Sequence, residues 1–162
     1  MARALATDPY QTFKFSVSIP NPDGSGEMIS AGFMTCALPE LTVEAAEYKT
    51  GLMKIKQKYP GNPGVNDCTL TRGLMKKDSA LFDLVQKSIL GQAYRTDVTI
   101  TLTHRDGTKM PYILHEAFGL RAKMGADLDA NGNDVSVEEM DIQYEDFSFS
   151  NDGGATFIRA TG

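Results

Sequence analysis

Oxygen-bearing side chains recur between residues 127 and 138 in the pattern D-x-[DN]-x-[DN]-G-x₅-E, which is typical of calcium-binding loops. The four ligand positions hold Asp127, Asp129, Asn131 and Glu138. The flanking sequence does not fit such a loop, because glycines at 119 and 125 interrupt the helix that should enter it. The pattern therefore has two interpretations, a calcium site over 127–138 or an acidic turn that leads into a strand.

No other group of residues predicts chemistry. His104 and His115 have no third ligand at metal-like spacing, and Cys36 and Cys68 are too far apart in sequence for a zinc pair. The sequence has no glycine-rich phosphate loop and no G-x-S-x-G nucleophile motif. We therefore expect no enzymatic activity, no bound cofactor and two reduced, buried cysteines.

Charge is unevenly distributed along the 162 residues, whose formal net charge is −5. Residues 1–60 are neutral, residues 61–123 carry +3 and residues 124–162 carry −8. The acidic balance argues against a nucleic-acid-binding surface of the usual basic kind. Such polarity lets copies of a chain meet through opposite charges, although acidic loops also serve solubility alone.

Apolar residues alternate with polar ones through most of the chain, which predicts β-strands. In one predicted strand, Lys54, Lys56 and Lys58 share a side. They are either an edge protected from aggregation or a contact for the acidic region of another copy. Residues 60–64, rich in proline and glycine, predict a loop. A change of apolar parity between 137 and 140, and another after 144, predict bulges.

One helix is expected at about residues 78–90, capped by Asp78. Its apolar stripe is predicted to comprise Leu81, Phe82, Val85 and Ile89. Farther along, Asp106-Gly107 predicts a hairpin with a two-residue turn, which would place Leu102 opposite Pro111. The expected class is mainly β, an antiparallel barrel or orthogonal sandwich with one flanking helix.

Several short motifs occur in a fixed order: Asp8-Pro9-Tyr10 before the first strand, Gly32-Phe33, Glu47-Tyr48-Lys49-Thr50-Gly51, Pro60-Gly61 and Thr69-Leu70-Thr71-Arg72-Gly73. Together they resemble the tail tube proteins of contractile phage tails and related contractile injection systems. The segment Leu128–Glu138 is similar to the family's run into its last long strand, which favours the turn over the calcium loop. The resemblance covers about residues 8–149.

The resemblance implies one tail-tube-like β domain over residues 1–149, with 150–162 as its C-terminal tail. Six copies would form a ring, and rings would stack helically into a hollow tube. Glu47, Tyr48, Lys54, Lys56 and Lys58 would contact a neighbouring subunit or ring. The acidic C-terminal region would face either the lumen or the sheath.

The implied function is mechanical: a contracting sheath drives the tube through the host envelope, and DNA passes through the lumen without specific binding. Implied partners are the sheath outside, the baseplate or initiator, and the tape-measure protein. The subunit would not insert into a membrane. It would reside in the virion tail after assembly in the host cytoplasm. A tube initiator and an effector-carrying tube of a contractile secretion system are the related alternatives.

Overall fold

A computed structural model describes residues 8–162, without the side chains of residues 27, 28, 30 and 31. Residues 1–7, which the sequence assigns to the same domain, lie outside the described residues. The described elements are, in chain order, β1 (Phe15–Pro20), β2 (Glu27–Ala31), β3 (Thr35–Cys36), β4 (Leu41–Tyr48), β5 (Gln57–Val65), β6 (Cys68–Gly73), α1 (Ala80–Ile89), β7 (Thr96–Thr103), β8 (Lys109–Lys123), β9 (Val137–Gln143), β10 (Asp146–Phe149) and β11 (Ile158–Arg159).

Antiparallel pairing joins most strands in the order β2-β1-β7-β8-β9-β6-β3, while β10 pairs with β8 and with β11. The long strand β8 links two sheets, because its first part pairs with β7 and β10 and its last part pairs with β9. The fully buried core side chains come from both sheets and from α1: Ile19, Leu70, Leu81, Leu84, Ile100, Leu114, Met140 and Ile142. The predicted class, mainly antiparallel β with one helix, is confirmed.

The helix is confirmed, but its predicted cap and apolar face are partly wrong. Ser79 occupies the N-cap position, and the Asp78 carboxylate instead accepts a hydrogen bond from the Ala80 amide at 3.1 Å. Leu81 and Leu84 are buried, whereas Phe82 and Ile89 are exposed. Periodicity gives the spacing of an apolar face, but the approach of β8 decides which residues that face contains.

The β7–β8 hairpin is confirmed, and its predicted register is wrong by one residue. The turn contains three residues rather than two, since the His104 amide donates to the Thr108 carbonyl at 2.8 Å. Leu102 therefore lies opposite Met110, not Pro111. Gly107 has a φ of +90°, and this left-handed glycine closes the three-residue loop.

Candidate functional site

The predicted calcium loop does not form a site. The Glu138 side chain is fully buried and pairs with Arg72, whereas Asp127 is exposed. The Asp129 carboxylate accepts a hydrogen bond from the Asn131 amide at 2.9 Å and thereby closes a local turn. Within residues 8–162, no three His, Cys, Asp or Glu side chains are grouped to hold a metal. The calcium interpretation is not supported, because its twelfth position belongs to the core.

Arg72 and Glu138 form a buried ion pair between β6 and β9. The Arg72 Nε donates to Glu138 Oε1, and its Nη2 lies 3.0 Å from Asp78 Oδ1. Burial alone would lower the pKa of Arg72, but its contacts with the two carboxylates leave that pKa above its ordinary value. The guanidinium also lies over the Phe33 ring, 5.9 Å from its centroid. The pair therefore joins two strands to the start of α1.

The predicted bulge between residues 137 and 140 is wrong. The β6–β9 pairing runs in unbroken register from Gly73 opposite Val137 to Cys68 opposite Ile142. Glu138 therefore shares the core-facing side with Met140 and Ile142, although its charge suggests a surface position. The positive charge of Arg72 offsets the desolvation cost of burying the Glu138 carboxylate.

The other residues of the 69–73 motif also stabilise the sheet. Thr69 Oγ1 donates to Asp141 Oδ1 at 2.9 Å, and Arg121 Nε donates to Asp141 Oδ2 at 2.8 Å. The hydrogen bond from Arg121 holds the pKa of Asp141 below its ordinary value. Gly73 ends β6 and has open space around the position of a Cβ.

The Asp8-Pro9-Tyr10 motif packs against the β7–β8 turn. His104 Nε2 lies 3.0 Å from the Asp8 carbonyl oxygen, and the Tyr10 ring meets the imidazole edge-on, with centroids 5.2 Å apart. His104 Nδ1 lies 2.9 Å from Asp106 Oδ1. The contact with the Asp8 carbonyl raises the pKa of His104. This motif, too, is structural.

Asp97, His115 and Ser148 are arranged in the order of a catalytic triad, which the sequence does not reveal. His115 Nε2 lies 2.6 Å from Ser148 Oγ, while Asp97 Oδ2 is 3.8 Å from the other ring nitrogen. Ser148 is only 6% exposed, and the distance between Asp97 and His115 is longer than a hydrogen bond. The Ser148 hydroxyl is therefore largely shielded from solvent in this arrangement.

Both cysteines are free thiols, but only Cys68 is buried, and Cys36 is half-buried. The Cys68 thiol donates to the Ala37 carbonyl at 3.0 Å. Its hydrogen bond with Cys36, together with burial, raises the pKa of the Cys68 thiol. A thiol held in its neutral form is a poor nucleophile, which makes Cys68 an unreactive side chain.

Strands β4 and β5 form a separate two-stranded sheet, which we call the ribbon (residues 41–65). The predicted loop at 60–64 is wrong, since β5 continues through it to Val65. Pro60 lies opposite Ala45, next to a register shift in the pairing. A strand without a second neighbour tolerates prolines, which cannot donate to the ladder. Gly61 is required here, because a Cβ would lie 2.9 Å from the Glu44 carbonyl oxygen.

The predicted contact residues lie on this ribbon, but not on one strand side. Lys58 is in β5 opposite Glu47, whereas Lys54 and Lys56 precede the strand in the connecting turn that also contains Gly51. Lys56 Nζ lies 2.8 Å from Glu47 Oε2. The predicted basic strand over 54–58 is therefore wrong, because Lys54 and Lys56 lie in the turn that connects β4 to β5.

The ribbon exposes apolar side chains that the sequence prediction did not single out. Leu52 is 98% and Ile55 82% exposed, and no residue between 41 and 65 is buried. An isolated two-stranded ribbon is at best marginally stable in water. A long exposed strand edge is also an aggregation hazard unless something covers it. In the single chain, the ribbon therefore leaves these apolar side chains uncovered.

The sequence matches the family model described as T4-like virus tail tube protein gp19 over residues 11–148. The chain belongs to this tail tube family. This confirms the resemblance drawn from the motifs and makes the chain a tail tube protein of contractile injection systems. No curated protein matches the sequence significantly.

Solved tail tube structures share the fold. An anti-feeding prophage baseplate structure contains a chain with a TM-score of 0.78 and 17% identity, covering 89% of this protein and 97% of that chain. A chain of a PVC extracellular contractile injection system, solved as a sheath–tube complex, has a TM-score of 0.73 and 24% identity. The match covers 90% of this protein and 94% of that chain. An Hcp crystal structure has a TM-score of 0.59 and 13% identity, and the match covers 90% of this protein and 97% of that chain. No helix within the described ranges is long and apolar enough to cross a bilayer.

Proposed function

We propose that this protein is the repeating subunit of a hollow tail tube, in which six copies form a ring and rings stack helically. The ribbon is the observation that carries the proposal. It has exposed apolar side chains and four lysines between residues 49 and 58, and it requires a partner to bury them. A contact between different surfaces of identical chains generates rings where it closes and filaments where it does not.

Glu47, Tyr48, Lys54, Lys56 and Lys58 are proposed to lie in this subunit contact. Tyr48 is well exposed in the ribbon and combines an apolar ring with a hydroxyl, a combination favoured at interfaces. Because Lys56 already pairs with Glu47, the remaining lysines are the ones whose charge calls for a partner. The contact should therefore weaken as ionic strength rises.

The lumen is proposed to be lined by the solvent-facing side of β1 and β7. Ser16 pairs with Thr101 and Ser18 with Thr99, so hydroxyl groups line most of this face, and the exposed Asp97 of β7 lies on the same side. A wall without Lys or Arg neutralises no phosphate, so it releases no counterions and does not hold DNA. This supports a conduit through which DNA passes without specific binding.

The sheath and the baseplate are proposed as partners, since the similar solved chains come from a sheath–tube complex and a baseplate. A sheath contracting around the tube would drive it through the host envelope, with a tape-measure protein setting its length. The subunit would then reside in the virion tail after assembly in the host cytoplasm. Its role is structural and does not involve catalysis.

A second candidate keeps the architecture and changes the cargo from DNA to protein effectors. It is favoured by the structural similarity to chains of extracellular contractile injection systems. Nuclease-protected DNA in purified particles would support the phage tube, and co-purified protein in the lumen would support the effector tube. Abundance in particles separates both from a tube initiator, which is needed in few copies.

Electron microscopy of the concentrated protein, alone and mixed with purified baseplates, tests the proposal. We expect six-fold rings or hollow tubes. The variant Leu52→Ser/Ile55→Ser should stay monomeric while keeping the circular dichroism of the wild type, because it alters only exposed side chains. Failure of the wild type to form rings or tubes under either condition would overturn the proposal.

A further inference from the structure

The ribbon and the acidic loop over 124–136 lie at opposite ends of β6. The ribbon ends at Val65, just before β6 begins at Cys68. At the other end of the strand, the Leu74 amide donates to the Ser136 carbonyl at 3.0 Å, which fixes the loop there. A contact between ribbon and loop therefore joins two copies head to tail, in the arrangement that repeats along a tube.

The loop contains a cleft of about 220 Å³, lined by both polar and apolar side chains. Leu128 and Val135 are 96% and 80% exposed along its wall. Three carboxylates line the same cleft, those of Asp127, Asp129 and Asp134. We call residues 126–136 the end cleft. Apolar side chains grouped in one exposed patch, rather than scattered singly, are typical of a surface that another molecule covers.

We propose that the end cleft receives the ribbon tip, residues 49–58, from a copy in the adjoining ring. This rests on the proposed function and names the surface that joins one ring to the next. The tip carries four lysines and no acidic residue, while the end cleft carries three aspartates. Asp127 already pairs with Lys123, whose Nζ lies 3.2 Å away, so Asp129 and Asp134 are the carboxylates that would meet the tip. Leu52 and Ile55 on the tip, and Leu128 and Val135 in the end cleft, are exposed apolar side chains that the contact would bury.

A second cleft, which is mostly apolar and has a volume of about 290 Å³, is the alternative binding place for Leu52 and Ile55. It lies between residues 10–12, β1, β3 and β7, with Phe15, Met34 and Leu38 among its walls. All of its lining residues are uncharged, so the lysines of the tip would find no opposite charge there. Electrostatic complementarity, which fixes register and excludes wrong partners, selects the end cleft.

Disulfide trapping in the intact chain tests the contact. In Leu52→Cys/Leu128→Cys, oxidised glutathione should link successive copies into a ladder on a non-reducing gel. Leu52→Cys/Leu38→Cys places the second thiol in the competing cleft and should give no ladder. Leu52→Cys alone measures any linkage to the native thiols.

Charge exchange provides a second measurement. Lys49→Glu/Lys54→Glu should raise the critical concentration for assembly about tenfold, and Asp129→Lys/Asp134→Lys should do the same. Lys56 is left unchanged because it pairs with Glu47. Combining all four substitutions should restore assembly to within about threefold of the wild type, since opposite charges again face each other.

The outcomes separate this inference from the proposed function. Tubes in the microscope with no ladder from the 52/128 pair, or with no rescue by charge exchange, would overturn the inference and leave the tube function intact. A ladder from the 52/38 pair would overturn it in favour of the competing cleft. A wild type that forms neither rings nor tubes would overturn both.

Discussion

Removal of one partner of the buried ion pair should destabilise the fold strongly. Arg72 is 3% and Glu138 0% exposed, so Arg72→Met leaves a carboxylate buried without its cation. Loss of one partner from such a pair costs about 3–5 kcal/mol. In a domain of this size, 1 kcal/mol shifts Tm by about 2–4 °C. The variant should therefore melt about 6–20 °C below the wild type.

Two further variants complete a double-mutant cycle on this pair, and they should lose different amounts of stability. Glu138→Gln leaves Arg72 next to Asp78, 3.0 Å away, so the expected cost is only about 1–3 kcal/mol. Arg72→Met/Glu138→Leu removes both charges and should lie close to the wild type, because apolar replacement of a buried pair is often neutral or stabilising. The second oxygen of Glu138 has no hydrogen-bonding partner among the described residues, which favours that replacement.

Urea unfolding followed by circular dichroism measures the free energy of unfolding of the wild type and of the three variants. The protein concentration must lie below that of assembly, since association adds apparent stability by mass action. Arg121→Met is the matched control, because Arg121 pairs with Asp141 and Glu139 at the surface and should cost at most about 1 kcal/mol. A loss in Arg72→Met no larger than in Arg121→Met, or strictly additive single and double variants, would refute the reasoning.

Three further predictions concern packing, pH and metal. Gly119→Ala places a Cβ 2.7 Å from Val85 Cγ2 and should cost about 1–3 kcal/mol by thermal melting, whereas Gly73→Ala, with nothing within 4 Å, should cost less; equal losses would contradict this. Burial raises the pKa of Asp146, but hydrogen bonds from Arg159 and a neighbouring threonine outweigh it, so the pKa lies below its ordinary value. That stability is present above the unfolded pKa and is lost as pH falls through the folded pKa, so wild-type urea midpoints should fall more between pH 7 and pH 3 than those of Asp146→Asn; parallel losses would count against it. About 5 mM calcium should leave Tm unchanged, since only a ligand that binds the folded chain raises it, and a rise of several degrees would reinstate the calcium site.

Local sequence determined the elements whose signals are local. The alternation in Val17 and Ile19 predicts β1 because side chains of a strand alternate between faces. Gly91, with a φ of +68°, ends α1 as its position after the apolar run predicts. These features depend on backbone sterics and on neighbours within a few residues.

Registers and faces depended on the rest of the fold. Gly107 adopts a left-handed conformation in a three-residue turn, and the contact of His104 with Asp8 holds that turn in place. Leu84 rather than Phe82 faces the core because α1 lies against β8, where Gly119 lets Val85 approach. The sequence pattern does not include the position of a neighbouring element.

The sequence by itself determined the class, the family motifs and the uneven distribution of charge. Only the tertiary structure showed that Glu138, which matches a calcium ligand by spacing, is the buried partner of Arg72, 66 residues away. It also showed that Leu52 and Ile55 remain uncovered. The physical reason is the same in both cases. Spacing along a chain fixes which side chains share a face or a loop, whereas their ionic partner or apolar cover comes from distant residues or from another copy.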